Sequence, residues 1–194
     1  MDAERMERAV RLFLEGIGET SPGDELEETP RRVAKAWAED LVSGYGRDPA
    51  AELSWVPAPA GAGPVLVRDV RFASVCAHHL LPFVGRAHVT YLPSRRLAGL
   101  SKIGRVVDVL ARRLQIQERL TREIADVLAH VLEPRGVLVV LEAEHTCMTL
   151  RGVRKEGSRL VTLASSGIFD ADPVARGEIL TLLGRGAGSF PTGA

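Results

Sequence analysis

Apolar residues fall on one helical face at the start of the chain. Met6, Val10, Leu14 and Ile17 recur at helical spacing over 4–18, with Arg and Glu between them. A second helix is predicted from Thr29, a residue type that caps helices. Pro30 suits its first position, Val33, Trp37 and Leu41 form its apolar stripe, and Gly44 and Gly46 end it. From Val65 the period shifts to two. Residues 65–76 and 85–93 read as strands, rich in β-branched residues and partly alternating. Helices are predicted over 101–113 and 117–133, strands over 136–151 and 158–165, and a last helix near 172–184. Strand, strand, helix, helix, strand, strand, without βαβ alternation, predicts an α+β fold with helices on one face of an antiparallel sheet.

The same pattern divides the chain into an N-terminal helical segment (1–46), a Pro/Ala/Gly-rich linker (47–64), a main domain (65–185) and a flexible tail (186–194). No internal repeat is present. Positive and negative side chains balance at 25 each, so bulk charge points to neither nucleic acid nor an anionic membrane surface. No apolar run approaches the roughly 20 residues of a membrane helix, and the charged start "MDAERMERAV" is unlike a signal peptide. Two cysteines make no disulfide framework; the expectation is a soluble protein of a reducing, cytoplasmic compartment.

Those two cysteines both stand beside histidines. Cys76, His78 and His79 lie in "SVCAHHLLPF", and His145 precedes Cys147 by two. If 136–151 alternates as a strand, Val137, Val139, Leu141, Ala143, His145, Cys147, Thr149 and Arg151 share a face, which passes from apolar to polar at its C-terminal end. Zinc binds thiolate and imidazole, and a catalytic zinc takes three protein ligands and leaves a fourth position open. Cys76-x-x-His79 with Cys147 supplies such a set. The other reading also stands: two small buried thiols and, in His78, a core histidine bonded to a carbonyl.

Cations occupy two predicted helix starts. Arg32 and Lys35 are three apart, as are Lys102 and Arg105, which puts each pair on one face. A helix N-terminus attracts anions, so cations there suit a phosphate that joins them; solvated faces are the alternative. Glu118 opens another helix. It is either ordinary first-turn acid or a two-oxygen acceptor for paired N–H donors, such as the N1–H and 2-amino group of guanine.

The blocks "ETPRRVAKAW", "CAHH", "GLSKIGR", "QERLT" and "EAEHTCMTLRGV", in this order and spacing over about residues 25–170, resemble GTP cyclohydrolase I. The resemblance implies a tunnelling fold, with 65–185 as its catalytic domain. It also implies subunits joined edge to edge into a homodecamer with active sites at subunit boundaries. The implied reaction turns GTP and water into 7,8-dihydroneopterin triphosphate and formate. Carried over by motif, Cys76, His79 and Cys147 would bind Zn(2+), and His78 and His145 would move protons. Gln117 and Glu118 would hold the guanine ring. Ser101, Lys102, Arg105 and Arg151 would take the triphosphate, with Arg32 and Lys35 reaching in. The chain departs from the family pattern at Ala77, where Glu is usual, at Gly104, and at Leu160 and Leu163, which replace hydroxyls. A paralogue acting on another purine or stopping at the formamide, and a non-catalytic purine- or pterin-binding ring protein, are the alternatives these departures leave.

Overall fold

The computed structural model describes residues 1–19 and 24–184. The tail expected to be flexible, 186–194, lies outside the described residues. Helix α1 (Ala3–Gly16) is capped by Asp2, whose carboxylate accepts the Arg5 N–H at 2.9 Å. Met6, Val10 and Leu14 are half-buried as the stripe predicted, but Ile17 lies past the helix and is 61% exposed. A single turn, α2 (Asp24–Glu27), leads into α3 (Thr29–Ala36), on which α1 packs. Thr29 does not cap α3. Glu28 holds the cap position, and the Thr29 hydroxyl accepts from Arg32 instead. Over Trp37–Leu41 the helix widens into a π turn, and Val42 N–H bonds Trp37 C=O at 3.0 Å.

The stretch expected as a linker is structured. Ala50–Glu52 form a 3₁₀ turn, Leu53 is buried, and β1 (Trp55–Pro57) pairs antiparallel with β4 (Arg96–Ala98). Composition pointed to a loop here, but cross-strand pairing and the Arg96 guanidinium, 4.8 Å over the Trp55 ring, hold the segment. Strands β2 (Val65–Cys76) and β3 (Pro82–Leu92) form an antiparallel pair with a bulge between Val67 and Val70, where Asp69 takes φ 58°. Helix α4 (Leu100–Ala111), the short β5 (Leu114–Gln115) and helix α5 (Gln117–Leu132) follow. Strand β6 (Gly136–His145), one turn α6 (Thr146–Thr149), strand β7 (Leu160–Gly167), and helices α7 (Ile168–Ala171) and α8 (Pro173–Gly184) complete the described chain.

The main sheet runs β5-β2-β3-β6-β7. All pairs are antiparallel except β2 with β5, a two-residue parallel contact at Val75 and Cys76 that the sequence pattern does not show. Alternate side chains of β3 (Phe83, Ala87, Val89, Tyr91) and β6 (Val137, Val139, Leu141) point to one face and are fully buried. They meet Ile103, Val106 and Leu110 of α4 and Leu120, Ile124 and Leu128 of α5. Each of the Val, Leu, Ile and Phe side chains contributes about 1.5–3 kcal/mol on burial. The expected pair of helices on one face is thus present. Helix α8 adds cover to part of the opposite face, where Ile179 and Phe169 pack on Leu138. Its last carbonyls, Leu182 and Leu183, accept from the Arg68 guanidinium.

Candidate active site

Strand β2 ends at Cys76, and the chain turns back through 77–80 into β3. Cys76 C=O accepts Leu80 N–H and Cys76 N–H donates to Leu81 C=O, both at 2.8 Å. Leu80 adopts φ 56° to close this turn. The turn brings His79 back over Cys76, with Nδ1 3.9 Å from the buried sulfur.

Cys147 arrives by a different route from the one its alternation suggested. Strand β6 stops at His145 because Phe83↔His145 is its last pairing with β3, and Pro82 has no N–H to extend the ladder. The chain then coils through α6, with the Thr146 hydroxyl bonded to Pro82 C=O, so Cys147, Thr149 and Arg151 are not on a strand. That turn carries Cys147 to Cys76 and His79, and the ligand atoms of the three lie within 4.8 Å of one another. Donors at about 2.3 Å (S) and 2.1 Å (N) around a tetrahedral ion stand about 3.6 Å apart, so the set closes on zinc with small side-chain shifts. Two sulfurs and an imidazole also suit zinc chemically. Burial, and then the neighbouring Cys76 sulfur, push the Cys147 thiol above its ordinary pKa, with Arg151 pulling the other way.

His145 lies behind this cluster and is buried. Its ring stacks on Phe83 at 4.4 Å and 6° between planes, and its Nε2 lies 2.8 Å from Gln117 Oε1. Burial lowers its pKa, and the Glu118 carboxylate pulls it partly back up. Glu118 itself is exposed in the first turn of α5. His78 is exposed on the turn, edge-on to His79 at 6.2 Å.

Gln117 departs from expectation. It is fully buried, and its Nε2 faces Leu141 C=O (3.2 Å), Leu160 C=O (2.9 Å) and the Thr162 hydroxyl (3.1 Å). Its amide is engaged inside the protein and is not offered to a ring. Thr121 and Thr162 complete this network, and neither they nor Phe83 were singled out in the sequence. The only signal near Thr162 is the pair of replaced hydroxyls at Leu160 and Leu163 on either side of it.

Apart from Arg151, the cationic residues are elsewhere. Helix α4 starts beside Ser54 and Tyr91, where Gly99 N–H donates to Ser54 C=O and Ala98 N–H to the Tyr91 hydroxyl. Tyr91 pairs with Val65, at the opposite end of β2 from Cys76. Helix α4 ends at the Cys76 end, where the Ser74 hydroxyl donates to Arg113 C=O. Measured along α4, Ser101, Lys102 and Arg105 therefore lie about 15, 13 and 9 Å from its Cys76 end. Lys102 and Arg105 face Glu52, whose carboxyl is held below its usual range mainly by its bond to Arg47 and further by these two cations. Arg32 bonds Glu25 C=O and Thr29, and Lys35 pairs loosely with Glu39 at 3.8 Å, both within their own segment. Arg151 is exposed just past α6.

Comparison with known proteins agrees along the whole described chain. The family model for GTP cyclohydrolase I matches residues 6–184. GTP cyclohydrolase 1 of Rhodopirellula baltica is 50% identical over 96% of this chain and 81% of the relative. The same-named protein of Carboxydothermus hydrogenoformans is 48% identical over 95% and 96%, and that of Geobacillus kaustophilus 49% over 92% and 95%. A solved structure, an apo archaeosine synthase QueF-like protein, aligns with 55% of the chain at TM-score 0.47 and 19% identity, too distant to bear on the site. With its five sequence blocks in order, and half its residues shared with relatives along nearly the full length, the chain belongs to the GTP cyclohydrolase I family.

Proposed function

We propose that this protein is a zinc-dependent GTP cyclohydrolase I, converting GTP and water to 7,8-dihydroneopterin triphosphate and formate in the cytoplasm. The observation that carries the reading is the convergence of Cys76, His79 and Cys147 next to a buried histidine and an exposed first-turn glutamate. Zinc held there would act as a Lewis acid and lower the pKa of a coordinated water to about 7, supplying a nucleophile at neutral pH.

The chain's own residues do the rest. Glu118 accepts the N1–H and 2-amino protons of guanine, which adenine does not present as a pair. That contact sets the imidazole ring of the base toward the metal cluster. His145 donates a proton to a ring nitrogen, making C8 electrophilic, and the ring opens; a second hydrolysis releases formate. His78, exposed at the mouth, serves the later proton transfers of ribose opening and closure onto the freed amine. The triphosphate does not react, and its binding holds the purine in place.

Ser101, Lys102 and Arg105 take the triphosphate from a neighbouring subunit, since within one chain they lie on the part of α4 away from its Cys76 end. Arg151, Arg32 and Lys35 add charge at that boundary. The assembly is a homodecamer with sites between subunits. Zinc-loaded protein given GTP should release formate and yield a product that oxidises to a fluorescent pterin. Glu118→Gln, which places an N–H against donors, should collapse turnover while zinc stays bound. Unchanged turnover in that variant, or a formamide as the end product, would overturn the reading.

A further inference from the structure

The Gln117 carboxamide can point only one way. Turned over, its oxygen would face the Leu141 and Leu160 carbonyl oxygens, acceptor against acceptor. With Nε2 on those carbonyls, Oε1 is the atom that faces His145 Nε2 at 2.8 Å, and an oxygen acceptor requires a donor. The hydroxyls beside it are directed in the same sense. Thr121 donates to Gln117 C=O at 2.7 Å, so in its 2.6 Å contact with Thr162 it is the acceptor. Thr162 then gives its proton to Thr121 and offers a lone pair to Gln117 Nε2. The two Nε2 protons are shared among three acceptors, and the Thr121 and Thr162 hydroxyl protons each point one way.

We propose that Gln117 is a positioning residue: it fixes a proton on His145 Nε2, so that Nδ1 is the ring nitrogen left to take up the proton that His145 delivers to substrate. Thr121 and Thr162 hold Gln117 in that orientation, and Phe83 holds the plane of the ring. The proton's placement follows from the network alone; its part in turnover rests on the cyclohydrolase reading above. A histidine free to turn over would present either nitrogen. One locked by a saturated amide presents the same nitrogen in each cycle.

Neutron diffraction from zinc-loaded wild-type crystals exchanged into D₂O reads the atom directly. A deuteron on His145 Nε2 is expected, and a bare Nε2 overturns the proposal whatever the activity. A deuterated Nε2 in a protein that does not turn over GTP would sink the functional reading and leave the placement standing. Gln117→Met separates positioning from substrate contact. The expected result is kcat lowered at least about tenfold with KM for GTP within about twofold and zinc content unchanged. A raised KM at unchanged kcat would put Gln117 on the substrate, and unchanged kcat and KM would leave it a packing residue; either refutes the positioning role. If the variant fails to fold, the neutron result on the wild type still decides.

Discussion

Two chains that are each inactive should restore activity when they assemble together. One carries Cys147→Ser, which removes a metal ligand. The other carries Lys102→Glu with Arg105→Glu, which reverses the charge of the α4 start. In a single chain Lys102 and Arg105 stand about 13 and 9 Å along α4 from its Cys76 end, on a helix whose Ile103, Val106 and Leu110 pack into the core. On the proposed reading, the substrate meets the metal of one chain and the cations of its neighbour across a subunit boundary. A working site then needs the metal half of a charge-reversed chain beside the cationic half of a Cys147→Ser chain. With equal amounts and random neighbours, each half is right about half of the time, so about one quarter of sites are intact in a symmetric ring. The assay is formate release per chain after co-expression with two affinity tags, both used in purification. About a quarter of wild-type turnover is expected, against near zero for either variant alone. Turnover of the mixed assembly no greater than that of the separate variants would refute the divided site.

Three shorter predictions concern single positions. Gly104 lies inside α4 with open space where a Cβ would sit, so Gly104→Ala should stabilise by about 0.5–1 kcal/mol, read as a raised Tm. Cys147→Ser should weaken zinc binding beyond the roughly 10–100-fold typical of losing an outer-shell partner, read as zinc per chain after dialysis against a chelator, with the circular dichroism spectrum unchanged. His88 is half-buried, and its Nδ1 accepts the Asp69 N–H at 3.3 Å; burial lowers its pKa below 6.5, with Arg68 and Arg86 acting in the same direction and Asp69 and Glu142 opposing. The unfolded chain therefore binds the extra proton first, stability falls as pH drops through about 6.5, and His88→Asn, which keeps an acceptor there, should give a shallower loss of Tm on the acid side.

The helices and long strands were legible because their apolar periods are clean, as at Val137, Val139 and Leu141 or at Val106 and Leu110. Three features were not. Strand β1 hides in a Pro/Ala/Gly-rich run because its pairing with β4 is a contact between distant segments. The end of β6 follows from where β3 runs out, at Pro82, which no property of 146–151 reveals. Gln117 sits next to Glu118 in sequence, yet one side chain faces the interior and the other the solvent, since successive helix positions point about 100° apart. The metal set was legible because its residue types are scarce in this chain, and two cysteines beside histidines leave few other pairings.

The departures from the family pattern fall where the side chain is not what the site uses. Leu160 replaces a hydroxyl, but its backbone carbonyl is what receives the Gln117 amide, and a leucine supplies that as well as a serine. The hydroxyl the network needs is at Thr162, and it is present. Leu163 is the next residue along β7, so its side chain projects from the other face, where it is 44% exposed and away from His145. Ala77 is exposed on the turn, and it contributes a backbone N–H to Gln115 C=O at 2.9 Å, which docks the turn against β5 without help from a side chain. The fourth departure, Gly104, lies inside α4 with open space where a Cβ would sit. The buried network behind His145 is complete, with Gln117, Thr121 and Thr162 all engaged, and that suits an enzyme better than a non-catalytic binding protein.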